Sequence, residues 1–185
     1  MRELVAELKA LRLYGMAGAW AELLEHGGNA AVESSRWLLE HLLQAETTDR
    51  ALRSVRYQMT AARFPVHRDL AGFDFALSPV DRKLVMQLAD MSFTEAAHNV
   101  VFVGGPGTGK THLATAIGVA GITRHGKRVR FYSVVDLVNA LEQEKAQGKA
   151  GRLAASLLRM DAVVLDELGY LPFSQAGGAL LFHLL

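Results

Sequence analysis

The stretch Gly104-Gly105-Pro106-Gly107-Thr108-Gly109-Lys110-Thr111 matches the pattern G-x-x-x-x-G-K-[ST] at every defined position. Before it, the β-branched and aromatic residues 100–103 predict a buried strand, and the residues from His112 onward predict the start of a helix. A glycine-rich turn between a strand and a helix gathers backbone N–H groups at one point, where the positive end of the helix dipole also lies. The sequence therefore predicts a polyphosphate site here, in preference to a purely structural glycine turn.

The residue types within this loop suit a nucleotide. Gly104, Gly107 and Gly109 allow backbone angles and close approaches that a Cβ atom would block. Lys110 is predicted to reach the β- and γ-phosphates, and the Thr111 hydroxyl to bind Mg²⁺. The predicted nucleotide-binding residues are Gly104, Gly105, Pro106, Gly107, Thr108, Gly109, Lys110, Thr111 and His112.

A second motif lies about 55 residues further on. Residues 160–167, Met-Asp-Ala-Val-Val-Leu-Asp-Glu, predict a buried parallel strand that ends in two acids, the Walker B pattern. Ligands of such sheets bind beyond the carboxyl ends of the strands, where Asp166 and Glu167 emerge. Asp166 is predicted to hold Mg²⁺ and Glu167 to orient the attacking water, which favours hydrolysis over binding alone. Two solvated surface charges are the alternative.

Composition limits the class of protein. The 185 residues are 50% hydrophobic and 21% charged, which is typical of a globular chain with one core and a small accessory element. There is no cysteine, so disulfides and thiolate zinc sites are excluded. No signal peptide or membrane-spanning stretch is expected, and the predicted location is the cytoplasm.

The chain is expected to contain a helical N-terminal domain (1–68), a linker (69–78) and an α/β core (79–185) with a parallel sheet flanked by helices. In the first domain, residues 26–29 predict a break between helices, residues 32–43 a second helix, and residues from Thr48 to about Arg63 a third. Trp20 and Trp37 are predicted to lie in the core of this domain, with ligand stacking as the alternative.

Two further features leave alternatives open. Arg50, Arg53 and Arg56 recur at helical spacing, and residues 50–68 contain no acid, so this face is predicted either to contact nucleic acid or simply to be solvated. Residues 145–159 form a second basic stretch with the same two alternatives. Phe73 and Phe75 in the linker could pack beside an adenine ring or within the core.

Three stretches together resemble the IstB-type transposition helper ATPases, which are AAA+ proteins related to the DnaC helicase loaders. They are residues 104–114, residues 131–138 (Phe-Tyr-Ser-Val-Val-Asp-Leu-Val) and residues 165–172 (Leu-Asp-Glu-Leu-Gly-Tyr-Leu-Pro). The resemblance implies a P-loop NTPase fold, ATP and Mg²⁺ as cofactors, and ATP-dependent self-association on double-stranded DNA. It also implies partnership with the transposase of the same insertion sequence in choosing a target site. The site roles carry over to Gly104, Gly109, Lys110, Thr111, Asp166 and Glu167, with Glu167 and Lys110 as the catalytic residues.

The chain stops at Leu185 within an apolar helix, whereas the resembling family continues with a sensor strand, an arginine finger and a lid. The expectation is an incomplete ATPase core that is poorly soluble or inactive as an isolated chain. Two other functions are kept open: a DnaC-like replicative helicase loader, and a non-catalytic remnant.

Overall fold

The computed structural model describes residues 4–25, 30–169 and 175–184. The chain divides into two compact units, Met1–Ser54 and Val55–Leu185. The division falls within a helix, upstream of the predicted boundary at residue 68, and the assignment of 69–78 as a linker and 79–185 as the core stays a prediction. The predicted break at 26–29, residues 170–172 of the third resembling stretch and Leu185 lie outside the described residues.

The first unit contains helices α1 (Leu4–Ala10), α2 (Tyr14–Glu25) and most of α3 (Ala30–Ala62). The prediction of two helices, at 32–43 and from Thr48, is wrong: α3 is continuous. The hydroxyls of Thr47 and Thr48 donate to the carbonyls of Leu43 and Gln44, four residues earlier, so these side chains are satisfied within the helix. Without glycine or proline between residues 43 and 48, nothing ends the helix there.

The two tryptophans have different environments. Trp20 is buried in the core of the first unit beside Leu8 and Leu43, as predicted. Trp37 is 71% exposed and stacks on His41, so its prediction as a core residue is wrong. The physical reason is the length of α3: a long helix presents an apolar side chain to the core only where another element packs against that face.

The second unit begins with the end of α3. After a short 3-10 turn, Phe75–Leu77, six helices and two strands follow among the described residues. They are α4 (Arg82–Ala89), α5 (Ser92–Glu95), α6 (Lys110–His125), β1 (Val129–Ser133), α7 (Val134–Ala146), α8 (Arg152–Leu157), β2 (Ala162–Asp166) and α9 (Gln175–Leu184). None of the described helices has the length and apolarity needed to cross a bilayer.

The sheet of the second unit is parallel, as predicted. β1 pairs with β2 in a register that places Val129 opposite Ala162 and Ser133 opposite Asp166. Two apolar clusters cover it: one is centred on α4, α6 and β1, with Val85, Ile117 and Ile122 buried, and the other joins α7, α8 and α9. The carboxyl ends of both strands therefore point to the same edge, where α6 begins.

An ion pair holds the opposite end of the sheet. Arg128 donates to both carboxylate oxygens of Asp161 from its side chain, at 2.9 and 3.0 Å, and from its backbone N–H at 2.7 Å. These charge-assisted hydrogen bonds lower the pKa of Asp161 to about 2. The pair fixes the two residues that directly precede β1 and β2.

The predicted strand at residues 100–103 is not formed in the described part of the chain. Its side chains do alternate: Phe102 packs against the core, while Val101 and Val103 are 77% and 91% exposed. The segment therefore shows the side-chain alternation of a strand. Within residues 4–25, 30–169 and 175–184, however, it pairs with no other strand, and a strand requires a hydrogen-bonded neighbour.

Candidate nucleotide-binding site

The phosphate loop is shaped by two glycines in the left-handed region. Gly107 has φ +74° and Gly109 has φ +89°, and Gly109 is the N-cap of α6. A side chain at either position would be strained, because L-residues rarely adopt these angles. Gly104 is restricted differently, since a Cβ atom there would lie 3.0 Å from the Thr108 hydroxyl oxygen. The loop geometry therefore depends on glycine at three positions, as the sequence predicted.

Lys110 turns back onto this loop. Its Nζ donates to the carbonyl of Gly104 at 2.8 Å and to that of Gly105 at 2.6 Å. Thr108 also bonds to the loop, because its hydroxyl donates to the Gly105 carbonyl at 2.8 Å. The ammonium is thus already at the loop, held by neutral acceptors that stronger phosphate acceptors can replace.

The two sequence motifs meet at one contact. The Thr111 hydroxyl, in the first turn of α6, donates to Asp166 Oδ2 at 2.8 Å, although 55 residues separate them. Asp166 is the last residue of β2, so the contact follows from the position of the strand end beside the helix N-terminus. The predicted Mg²⁺ ligands, Thr111 and Asp166, lie side by side.

Glu167 follows directly after β2 in an unusual backbone conformation. Its φ is +65°, a left-handed value that costs about 1–3 kcal/mol for a non-glycine residue and that clusters at functional sites. Its backbone N–H donates to Asp166 Oδ1 at 3.1 Å. The side chain is exposed, which leaves its carboxylate accessible to water.

The linker contacts the same turn of α6. His112 Nε2 lies 3.0 Å from the Asp69 carbonyl oxygen, which can only accept, so this nitrogen carries the proton. The Phe73 ring packs edge-on against His112, with centroids 5.2 Å apart. Phe73 and Phe75 both pack against the core, the second of the two roles left open by the sequence. The contact between Phe73 and the loop could not be predicted from the sequence, because no local pattern specifies it.

The arrangement fits a magnesium nucleotide. Mg²⁺ in nucleotide sites is held by one or two protein oxygens together with phosphate oxygens, and Thr111 and Asp166 supply such a pair. Within the described ranges, no group of three or more His, Cys, Asp or Glu side chains could hold a metal independently. A metal that arrives with the nucleotide suits this donor set better than a resident one.

The three predicted DNA-contact residues lie on α3 and differ in their ion pairs. Arg50 pairs with Glu46, whose pKa is lowered mainly by that hydrogen bond, and Arg53 pairs with Asp49 at 2.8 Å. Counting acids only within 50–68 missed these (i, i+4) pairs, which begin just before that segment. Among the described residues, Arg56 is exposed and has no ion-pair partner. The DNA contact itself stays a prediction.

A glycine-rich loop at a helix start, joined through its threonine to an acid at a parallel strand end, defines a P-loop nucleotide-binding protein. The family model described as "IstB-like ATP binding protein" matches residues 6–185. The chain therefore belongs to the IstB-like ATP binding protein family, which confirms the resemblance and the α/β P-loop fold.

Individual relatives agree with the family assignment. A Pseudomonas aeruginosa protein, named as an ATP-binding protein of insertion sequence IS21, is 34% identical over all of this chain and 69% of its own length. A Geobacillus stearothermophilus protein, named as an ATP-binding protein of insertion sequence IS5376, is 31% identical over 95% of this chain and 69% of its own length. The similarity thus extends over both units of the chain.

Proposed function

We propose that this protein binds ATP with Mg²⁺ and hydrolyses it to ADP and phosphate. The observation that carries the proposal is the hydrogen bond from Thr111 to Asp166, because it brings together the two oxygen ligands that a magnesium nucleotide requires. The family description, which names ATP, supports the choice of nucleotide.

Different residues bind the phosphates, bind the metal and activate the water. The backbone N–H groups at the start of α6 and the Lys110 ammonium hold the phosphates, and Lys110 exchanges its two carbonyl acceptors for phosphate oxygens. Thr111 and Asp166 hold Mg²⁺, which neutralises charge on the phosphates when it is bound. Glu167 orients a water molecule and polarises it toward the terminal phosphate.

Two substitutions test binding and hydrolysis separately. Lys110→Ala should weaken ATP binding strongly, because it removes the charge that meets the phosphates. Glu167→Gln should keep ATP affinity and lower the hydrolysis rate by about 10²–10⁴, because an amide is a poor general base. ATP affinity is measured by titration calorimetry and hydrolysis by phosphate release. Unchanged ATP affinity in Lys110→Ala refutes the binding assignment, and wild-type turnover in Glu167→Gln removes Glu167 from the reaction.

We further infer that the protein serves an insertion-sequence transposase, in the cytoplasm, by self-associating on double-stranded DNA in an ATP-dependent manner and assisting target-site choice. The names of the relatives, which refer to insertion sequences, support the link to transposition. Arg56 is exposed and has no ion pair with any residue that the structure describes, and it lies in a segment rich in arginine, which supports DNA contact.

This part of the proposal is tested with the partner. The chain is mixed with the transposase of the same insertion sequence and with duplex DNA, in ATP and in ADP. The expected result is a larger assembly on DNA in ATP that retains the transposase. A parallel mixture contains a hexameric replicative helicase instead of the transposase. Retention of the helicase there, without retention of the transposase in the first mixture, would contradict the transposition role and favour the loader function.

A further inference from the structure

The Phe73 ring occupies the space where a side chain at Gly109 would be. A Cβ atom built on Gly109 would lie 2.6 Å from Phe73 Cε2 and 3.3 Å from Cζ, which is well inside van der Waals contact. The ring therefore packs directly over the backbone of the glycine that begins α6. Gly109 is also the N-cap of α6 and has a left-handed φ of +89°, so the ring packs on the residue at which the loop joins the helix.

The position of the ring is itself fixed by contacts from several directions. Phe75 packs edge-on against it, with centroids 4.9 Å apart, and the Arg82 guanidinium lies 5.5 Å from the centre of the Phe75 ring. His112 packs against Phe73 and donates to Asp69 at the start of the same segment. The linker is thus attached to the first turn of α6 through a ring contact and a hydrogen bond.

Nucleotide binding should affect the contacts of Phe73 and those of Lys110 differently. The Lys110 bonds to the Gly104 and Gly105 carbonyls must be exchanged when the ammonium moves to a phosphate, so they do not hold the loop in the bound state. The Phe73 contact uses no polar group that a phosphate needs. It can therefore persist when the site fills.

We propose that Phe73 is a positioning residue of the nucleotide site: it holds the Gly109 turn, with His112, so that the first N–H groups of α6 stay directed at the phosphates. This inference rests on the proposed nucleotide binding. A preformed loop loses less conformational freedom on binding, so the contact favours any polyphosphate, whichever base it carries. A role in stacking on adenine would favour ATP alone.

The test uses the full chain and two probes, ATP and inorganic tripolyphosphate, titrated with Mg²⁺. Phe73→Leu should weaken both by a similar factor, about fivefold, because an aromatic contact of this kind has a modest free energy. Phe93→Leu is the matched control: Phe93 is also half-buried against the same core but belongs to α5. Phe93→Leu should leave the affinities for ATP and for tripolyphosphate within about twofold of the wild-type values.

His112→Ala is the second variant, and it tests the inference alone if Phe73→Leu does not fold. It should also weaken the binding of both probes. If Phe73→Leu does fold, the double variant should lose less affinity than the sum of the two single losses, because the two residues act together. A loss for ATP without a loss for tripolyphosphate overturns the inference in favour of a base contact. Equal affinities in wild type and Phe73→Leu overturn it in favour of core packing alone. A wild-type chain that binds neither probe refutes the proposed function itself, which the other two results leave standing.

Discussion

Alanine substitutions at three loop glycines separate the two physical demands on this loop. Gly105 has no positive φ and nothing within 4 Å of its Cβ position, Gly107 has φ +74° with open space, and Gly109 combines φ +89° with the Phe73 ring at 2.6 Å. A left-handed conformation costs an alanine about 1–2 kcal/mol relative to glycine. Overpacking against a held ring costs about 1–3 kcal/mol more.

The three variants should differ in their free energy of unfolding, with the smallest loss at Gly105 and the largest at Gly109. Gly105→Ala should change stability by less than about 0.5 kcal/mol. Gly107→Ala should lower it by about 1–2 kcal/mol, and Gly109→Ala by about 2–5 kcal/mol, the sum of both costs. In a chain of this length, the last value corresponds to a fall in melting temperature of roughly 4–20 °C.

Urea unfolding followed by circular dichroism measures these differences. The sequence contains two tryptophans, Trp20 and Trp37, and both lie in the first unit, so their fluorescence is an internal reference that the loop variants should leave unchanged. If Gly109→Ala is no less stable than Gly107→Ala, the close approach of Phe73 is refuted. If Gly107→Ala matches Gly105→Ala, the reasoning from backbone angles fails.

Two other predictions concern charge. The Arg128 hydrogen bonds lower the pKa of Asp161 to about 2, so their stabilisation is complete above the ordinary pKa of 3.8 and is lost as the pH falls toward 2. Asp161→Asn should therefore lower the free energy of unfolding by about 1 kcal/mol at pH 7, after allowance for solvent screening, and the difference from wild type should shrink as the pH falls through about 2 and vanish below it. A difference that does not change with pH contradicts this. Replacing Arg50, Arg53 and Arg56 together by alanine should reduce the log–log salt slope of duplex binding by roughly 0.9 per lost phosphate contact. Because Arg50 and Arg53 are ion-paired, whereas Arg56 has no ion pair among the described residues, Arg56→Ala alone should account for most of the change. An unaltered slope in the triple variant would mean a merely solvated face.

The site was predictable from sequence where local pattern and topology agree. The positions of α6, β1 and β2 follow from their apolar runs and from the glycines that flank them. The meeting of Thr111 and Asp166 follows from the rule that parallel strands end at one edge. The helix and strand positions depend on short-range signals that one sequence contains, and the contact between Thr111 and Asp166 follows once the parallel topology is assumed.

Other features depend on distant packing and were missed. The exposure of Trp37 depends on whether another element covers that face of α3, and helical periodicity alone does not reveal this. Residues 100–103 have the composition of a strand, but strand formation requires a paired neighbour. The approach of Phe73 to Gly109 depends on the path of the linker, which no periodicity fixes.

The Arg128–Asp161 pair has a consequence for the opposite end of the sheet. A parallel pairing displaced by one residue would turn every β2 side chain to the other face, and Asp166 would then point away from Thr111. The ion pair lies at the entry of both strands and favours the observed alignment there. The position of Asp166, the proposed magnesium ligand, thus depends in part on a pair of side chains five residues away at the other end of the strand, so a substitution there would alter the proposed site without changing any of its residues.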